Sequence, residues 1–242
     1  MITQHGPVHY EGDLEAHLTV DAGSVQSVGR LADWAAARGL GFTHIVLARG
    51  LHPSQPMVTL RGRGRADDWI RTTVAETAAA LADAGFPVLR TKVETTPWAS
   101  GVPRTDAEAR LAPPHLHFEH HVKLLLPAGA DLAALASRVL PHGAHLSRNA
   151  RRIRADGLQE RFVTQRCHAV GARTAHRCLE ALLAGLPDTQ VLETEREYVV
   201  HDTRLDLDAG WLARPAPIGR PPATKRPQPS SHDTPAPQRS TA

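Results

Sequence analysis

Glu15-Ala-His17-Leu-Thr-Val20, close to the start of the chain, returns further along as Glu119-His-His121-Val-Lys-Leu124. Three more pairs follow in the same order: Thr43-His44-Ile45 with Ala144-His145-Leu146, Val58-Thr59-Leu-Arg61 with Val163-Thr164-Gln-Arg166, and Leu89-Arg-Thr91-Lys-Val-Glu94 with Leu192-Glu-Thr194-Glu-Arg-Glu197. The offsets lie between 101 and 105 residues. A nearly constant offset predicts that the chain contains one structural unit twice, with equivalent polar as well as apolar positions.

The pattern within each unit predicts the order strand, helix, strand, strand, helix, strand. From Leu14 to Asp21 apolar residues alternate with polar ones, which is typical of a strand with one face on the core. Helical spacing of apolar residues over 24–38 and 67–84, each followed by a glycine, predicts two helices. The other elements are predicted at 43–48, 57–61 and 88–95, and in the second unit at 117–126, 130–140, 145–149, 161–167, 174–184 and 190–200. We therefore expect an α+β fold, a tandem duplication of a ferredoxin-like βαββαβ unit with pseudo-twofold symmetry.

The same pattern divides the chain into four parts. Residues 1–98 form the first repeat, 99–114 a polar connector with prolines, and 115–212 the second repeat. Residues 213–242 are rich in proline and poor in large apolar side chains, so we expect a disordered tail, which is a candidate segment for binding a protein partner.

Composition limits the classes of function. The chain has 242 residues, of which 41% are apolar and 22% charged, as in globular proteins. A net charge of +3 and few aromatic residues argue against a nucleic-acid partner. Neither a leader pattern nor a long apolar stretch is present, so we expect a cytoplasmic protein without a membrane partner. Cys167 and Cys178 lack the spacing of a metal site and are interpreted as buried free thiols, with a redox pair as the alternative.

The alternation also predicts where the repeated polar residues lie. If the apolar residues of each first strand face the helices, then Glu15, His17, Glu119 and His121 lie on the open faces of their sheets. Packing of these two faces against each other would gather all four residues into one cleft. His17 and His121 then become candidates for general acid and base catalysis, each oriented by its glutamate. His44 and His145 fall on predicted edge strands and are expected to lie outside the cleft.

A metal site is a second hypothesis for the same strand. His117, Glu119 and His121 occupy alternate positions, and imidazole with carboxylate oxygen suits zinc, iron or manganese. A divalent metal is therefore the candidate cofactor. The alternative is that these side chains form the hydrogen-bonded or solvated edge of a half-exposed sheet.

Basic residues near predicted helix starts indicate an anionic ligand. Arg61 and Arg166 end the third strands, just before a turn with glycine and a helix, where backbone N–H groups favour phosphate or carboxylate. Lys123 is a further candidate for binding the anion. Glu94 and Glu197 close the fourth strands and are expected to pair with these arginines.

Two resemblances bear on function. His17-Leu-Thr19-Val20 resembles an H-x-T element of the 2H phosphoesterases, which have two related α+β lobes. This resemblance implies phosphodiester chemistry with His17 and His121 as base and acid, although the second element has Lys123 where that family has threonine or serine. Longer stretches, 118–124, 144–149, 195–202 and 207–211, resemble a family of uncharacterised microbial proteins. That resemblance implies one folded unit from about His9 to Leu212, with Trp211 packing the last segment onto the core.

Taken together, the sequence predicts a protein that binds or acts on a small anionic molecule in a cleft between the repeats. As an enzyme it would be a phosphoesterase-like hydrolase or a metal-dependent enzyme. The alternative is a non-catalytic module that senses a ligand or binds a protein.

Overall fold

Eight strands and six α-helices are present in the computed structural model, which describes residues 8–150 and 156–212. The strands are β1 Glu11–Val20, β2 Gly41–Leu47, β3 Ser54–Arg65, β4 Val88–Thr95, β5 His117–Pro127, β6 Ala144–Asn149, β7 Leu158–His168 and β8 Gln190–Asp202. The helices are α1 Val25–Ala36, α2 Ala66–Trp69, α3 Ala75–Asp83, α4 Asp106–Ala109, α5 Leu132–Val139 and α6 Ala172–Ala184. A π-helical turn, Ile70–Val74, joins α2 to α3, and 3-10 turns cover Leu140–His142 and Leu205–Asp208. The predicted α+β class is confirmed, and the predicted tail, 213–242, lies outside the described residues.

The eight strands form one closed barrel in the order β1-β3-β2-β6-β7-β5-β8-β4. Every strand pairing within the described residues is antiparallel. The expectation of two separate sheets packed face to face was therefore wrong, because β2 pairs with β6 and β4 pairs with β8. Closure satisfies the backbone groups of the strands that the sequence treated as edges. It also turns the open faces of both sheets inward.

The alternation in β1 produces this inward polar face. Ala16, Leu18 and Val20 are buried against the helices, in a cluster with residues of α1 and α3. The intervening Glu15 and His17 point into the barrel, where they line an internal cavity. A second cluster of buried residues joins β5, β6 and β7 to α5 and α6 in the same way. The apolar clusters that hold the helices thus lie outside the barrel wall, and the barrel interior carries the polar residues of both repeats.

A segment that follows β8, residues 203–212, closes one end of the barrel; we call it the closing segment. The indole Nε1 of Trp211 donates to the carbonyl oxygen of Leu146 at 3.0 Å, and Arg49 Nε donates to the Trp211 carbonyl oxygen at 3.2 Å. Gly50, whose φ of +115° is open to glycine alone, lets the β2–β3 loop approach Ala209. Trp211 is buried, in line with the predicted packing of the last segment.

Among the residues that the structure describes, no helix combines the length and apolar character needed to cross a membrane.

Candidate functional site

A cavity of about 400 Å³ occupies the barrel interior. Glu15, His17, Glu119 and His121 all line it, so the two pairs that the sequence singled out lie in one site. The cavity volume falls in the range of small-molecule pockets. Arg61, which also lines it, has a side chain 77% exposed, so the cavity opens to solvent at this end, away from the closing segment.

His17 is held by a hydroxyl on one side and carboxylates on the other. Its Nδ1 lies 3.0 Å from Thr59 Oγ1. Its Nε2 lies 3.6 Å from Glu15 Oε1 and 3.4 Å from Glu94 Oε2. The ring orientation is fixed at Nδ1, because a threonine hydroxyl can accept from or donate to an imidazole nitrogen.

His121 has the same surroundings in the second half of the barrel. Its Nδ1 lies 3.0 Å from Thr164 Oγ1, and its Nε2 lies 3.1 Å from Glu119 Oε1 and 3.5 Å from Glu197 Oε2. Strand register explains the match: His17 stands opposite Thr59 on β3, and His121 stands opposite Thr164 on β7. Each histidine is thus set between one hydroxyl and two carboxylates.

Lys92 connects the side chains around His17 with those around His121. Its Nζ lies 2.6 Å from Glu94 Oε1 and 2.7 Å from Glu119 Oε1. The two carboxylates in turn contact the histidines, so a continuous series of contacts runs from His17 through Glu94, Lys92 and Glu119 to His121. The Lys92 side chain is only 9% exposed, so water screens these charges weakly.

The charges of this network shift the pKa values in opposite directions at equivalent positions. Burial alone would raise the pKa of Glu94, but the Lys92 ammonium and His17 outweigh it and lower the pKa. In Glu197, burial raises the pKa well above its usual range, and the negative charge of Glu94 adds to that effect. Burial alone would lower the pKa of Lys92, yet Glu119 and Glu94 raise it. Glu94 and Lys92 are therefore charged at neutral pH, whereas burial shifts the protonation equilibrium of Glu197 toward the neutral acid.

The network bears directly on the metal hypothesis. Within the described residues, the atoms close enough to share an ion belong to Glu94, Glu119 and His121, a set that omits the predicted ligand His117. His117 Nδ1 instead lies 2.9 Å from the carbonyl oxygen of His115, and its Nε2 lies 3.2 Å from Glu119. The Lys92 ammonium already lies between the two carboxylates. A divalent metal would have to displace this buried cation, so this arrangement does not fit a metal site.

The basic residues predicted to bind an anion lie against carboxylates. Arg61 Nε donates to Glu15 at 2.8 Å, Arg166 Nε donates to Glu119, and Lys123 Nζ lies 3.3 Å from Glu160. The expected pairing of Arg61 and Arg166 with Glu94 and Glu197 was wrong. In the register, each arginine stands opposite the glutamate of the first strand of its half, Glu15 or Glu119.

The predicted anion sites at the helix starts are also filled by the chain itself. The backbone N–H of Gly171, the N-cap of α6, donates to Asp106 Oδ1 at 2.9 Å. Asp106 belongs to α4, a short helix in the connector that the sequence did not indicate. At the other turn, α2 carries Asp67 and Asp68 in its first turn. These carboxylates supply the negative charge that a helix N-terminus favours.

Several residues of the site were missed. Thr59 and Thr164 belong to the repeated Val-Thr-x-Arg stretch, so the repeat itself contained the signal that identifies them. Lys92 stands two residues before Glu94 and shares its face, but the second repeat has Glu195 there, so the comparison of repeats did not select it. Asp208, which is buried and lines the cavity, lies in the closing segment, outside the repeated region.

His44 and His145 are not among the residues that line the cavity, as expected, but the assignment of their strands as sheet edges was wrong. Because β2 pairs with β6, each of these strands has a neighbouring strand on both sides and neither is a sheet edge. His44 Nε2 lies 2.8 Å from Ser54 Oγ, and His145 is buried with its Nδ1 3.4 Å from Arg49 Nη2. Burial lowers the pKa of His145 to about 4, and the charges of Arg49 and Arg166 contribute.

We expect His145 to make the protein less stable in mild acid. The unfolded chain takes up a proton near the ordinary pKa of 6.5, whereas the folded protein does so only near 4. Its contribution to stability is therefore present above 6.5 and lost as the pH falls toward 4, amounting to about 2 kcal/mol between about pH 7 and about pH 5. Urea unfolding of wild type and His145→Gln at both pH values measures it. On this fall in pH, His145→Gln should lose less stability than wild type. The exposed control His176→Gln should lose as much stability as wild type. Equal losses in all three proteins would contradict the prediction.

Comparisons with known proteins give distant similarities to solved structures. No protein-family model and no curated protein matches the chain. The small subunit of acetolactate synthase from Thermotoga maritima is similar at 15% identity with a TM-score of 0.29, covering 79% of this chain and 96% of that one. An anthrone oxidase-like protein is similar at 14% identity with a TM-score of 0.27, covering 81% and 93%. Neither similarity assigns a function to this chain.

Proposed function

We propose that the barrel interior binds a small molecule and that His17 and His121 perform acid–base chemistry on it. The observation that carries this proposal is the matched setting of the two histidines in one cavity. Each has Nδ1 at 3.0 Å from a threonine hydroxyl and Nε2 within 3.6 Å of two carboxylates. Positioned histidines of this kind contribute about 10²- to 10⁴-fold to proton-transfer steps.

The chemistry of the proposal follows from the contacts of the rings. With the threonine hydroxyl at Nδ1, each Nε2 is the atom that exchanges a proton with a bound molecule. The carboxylates beside Nε2 place negative charge next to the atom that gains or gives up the proton. Lys92 links the two sets, so a histidine that gains a proton and a histidine that gives one up do so within a single charge network. This supports one histidine as base and the other as acid.

The basic residues that suggested an anionic ligand are already paired within the protein. Arg61, Arg166 and Lys123 were the basis for an anionic ligand, and all three are engaged by carboxylates. A phosphodiester would also bring negative charge close to Glu94 and Glu119, which are ionised. The structure therefore favours a small-molecule site without favouring an anion.

We infer further that the two halves of the chain descend from one duplicated unit. Each half has the strand order of a ferredoxin-like unit, β4-β1-β3-β2 in the first and β8-β5-β7-β6 in the second. The pairings that close the barrel join β2 to β6 and β4 to β8, which are equivalent strands of the two halves. A pseudo-twofold axis between the halves accounts for both observations.

A metabolite-depletion experiment tests the acid–base proposal. Wild-type protein is incubated with a mixture of small metabolites, and mass spectrometry records which compounds are consumed and which appear. The change should be absent with His17→Gln and with His121→Gln, and unchanged with His176→Gln, an exposed histidine on α6. Circular dichroism confirms that all variants are folded.

Two outcomes would contradict the proposal. Turnover that persists in both His17→Gln and His121→Gln would show that these histidines do not take part in the reaction. Compounds that co-purify with wild type but are never converted would support the alternative, a non-catalytic ligand-sensing module.

A further inference from the structure

The cavity has two chemically different walls on opposite sides of the barrel. In the strand order, the β2–β6 pair lies diametrically opposite the β4–β8 pair. Among the described residues, β2 and β6 contribute only uncharged side chains to the cavity: Phe42, Thr43, Ile45, Leu47, Ser147 and Asn149. In the same part of the chain, β4 and β8 contribute charged side chains alone: Arg90, Lys92, Glu193, Glu195 and Glu197. We call these the uncharged wall and the charged wall.

Apolar side chains on and beside the uncharged wall face the cavity instead of a core. Ile45 on β2, Met57 on the adjoining β3 and Phe162 on the adjoining β7 line the cavity and are only half-buried. None of them belongs to the apolar clusters that pack the helices onto the barrel in the described part of the chain. Apolar surface that faces a cavity gains free energy when a ligand removes it from water. This wall thus suits an apolar ligand group.

On the charged wall, the basic side chains form ion pairs with carboxylates, and further carboxylates of the described residues remain without a basic partner. Arg90 pairs with Asp202 and Asp208, and Lys92 pairs with Glu94 and Glu119. Within residues 8–150 and 156–212, Glu193 and Glu195 make no ion pair, and Glu197 contacts only His121. Glu193 and Glu195 are exposed and face the cavity, so they offer negative charge to a ligand on this wall. Burial raises the pKa of Glu197, and a cation placed beside its carboxyl group would favour the ionised form.

We propose, as a refinement that rests on the proposed function, that the ligand is amphipathic, with an apolar ring or chain on the uncharged wall and a protonated amine facing Glu195 and Glu197. The amine would lie near His121, because Glu197 and Glu195 both stand beside it on β8. A cavity with one apolar and one acidic side complements such a molecule in shape and charge.

A matched set of probes tests this assignment by calorimetry on the full-length protein. 2-Phenylethylamine, 2-phenylethanol and phenylacetate share a ring and differ in a head group that is positive, neutral or negative. We expect the amine to bind at least about tenfold more tightly than phenylacetate. Ethylamine, which has the head group without the ring, should bind much more weakly than 2-phenylethylamine.

Variants assign the preference to the two walls. Glu195→Gln/Glu197→Gln should remove most of the preference for the amine over the alcohol, whereas Glu180→Gln, an exposed charge change on α6, should preserve it. Met57→Gln, which keeps the side-chain length, should weaken the binding of the amine and that of the alcohol by a similar factor.

Each contrary result overturns the assignment. Binding of phenylacetate as tightly as the amine would show that the cavity takes an anion. Ethylamine binding as tightly as 2-phenylethylamine would remove the role of the apolar side, and no binding of any aryl probe at millimolar concentration would exclude this ligand class. The metabolite experiment with the histidine variants stands apart from these results, since acid–base turnover of another kind of compound would survive the failure of the amine assignment.

Discussion

Lys92→Met should lower the free energy of unfolding by about 4 kcal/mol at neutral pH, because it leaves two buried carboxylates without their shared cation. Glu94 and Glu119 are 1% and 2% exposed, so water cannot replace the lost ammonium. Glu119 keeps Arg166, but among the described residues Glu94 keeps as its remaining ion-pair partner only His17, at 3.4 Å. Glu94 therefore bears most of the cost. Urea unfolding followed by circular dichroism measures the change.

Two comparisons separate this effect from a general loss of positive charge. Arg61→Met removes a cation from the same cavity, but Arg61 is exposed and solvent screens its pair, so at most about 1 kcal/mol should be lost. Adding Glu94→Gln to Lys92→Met should restore part of the stability, since the stranded charge is then gone. The deficit of Lys92→Met should also shrink in acid, where Glu94 becomes protonated in that variant. A loss as small as that of Arg61→Met would mean that Lys92 does not hold the network together.

Much of the site follows from period-two alternation. Once Ala16 and Leu18 are assigned to the core, the intervening Glu15 and His17 must lie on the other face, and the same parity applies to β5. The repeat then places His121 beside His17 without knowledge of any contact. These inferences depend on neighbours within one strand, which sequence periodicity reports directly.

Closure of the barrel could not be derived in this way. It depends on pairing β2 with β6 and β4 with β8, strands about a hundred residues apart whose sequences do not identify one another as partners. The same limitation explains the incorrect partners of Arg61 and Arg166. An arginine at the end of a strand can reach carboxylates on either neighbouring strand, and only the register selects Glu15 and Glu119.

Asp208 was also not identified from the sequence. Its replacement should cause the second large loss of stability. Its carboxylate lies between two buried arginines, at 3.1 Å from Arg90 Nη1 and 2.8 Å from Arg166 Nη2, and it accepts from Gln55 Nε2 at 3.1 Å. Asp208→Asn keeps the shape but removes the charge between the guanidinium groups. We expect a loss of about 3 kcal/mol, at the low end for buried pairs, because Asp202 still pairs with Arg90 and Glu119 with Arg166.

The position of Asp208 in the closing segment gives this prediction a second readout. If Asp208 holds residues 203–212 on the barrel, its replacement should free the indole N–H of Trp211 from the carbonyl oxygen of Leu146. Hydrogen exchange at that indole, measured by NMR, should then accelerate more than exchange at amides of β5. Asp206→Asn is the matched control, since Asp206 lies in the same 3-10 turn but is exposed and forms its ion pair with Arg204. Unchanged exchange at Trp211 in Asp208→Asn, or the same acceleration in Asp206→Asn, would show that the buried carboxylate is not what keeps the closing segment in place.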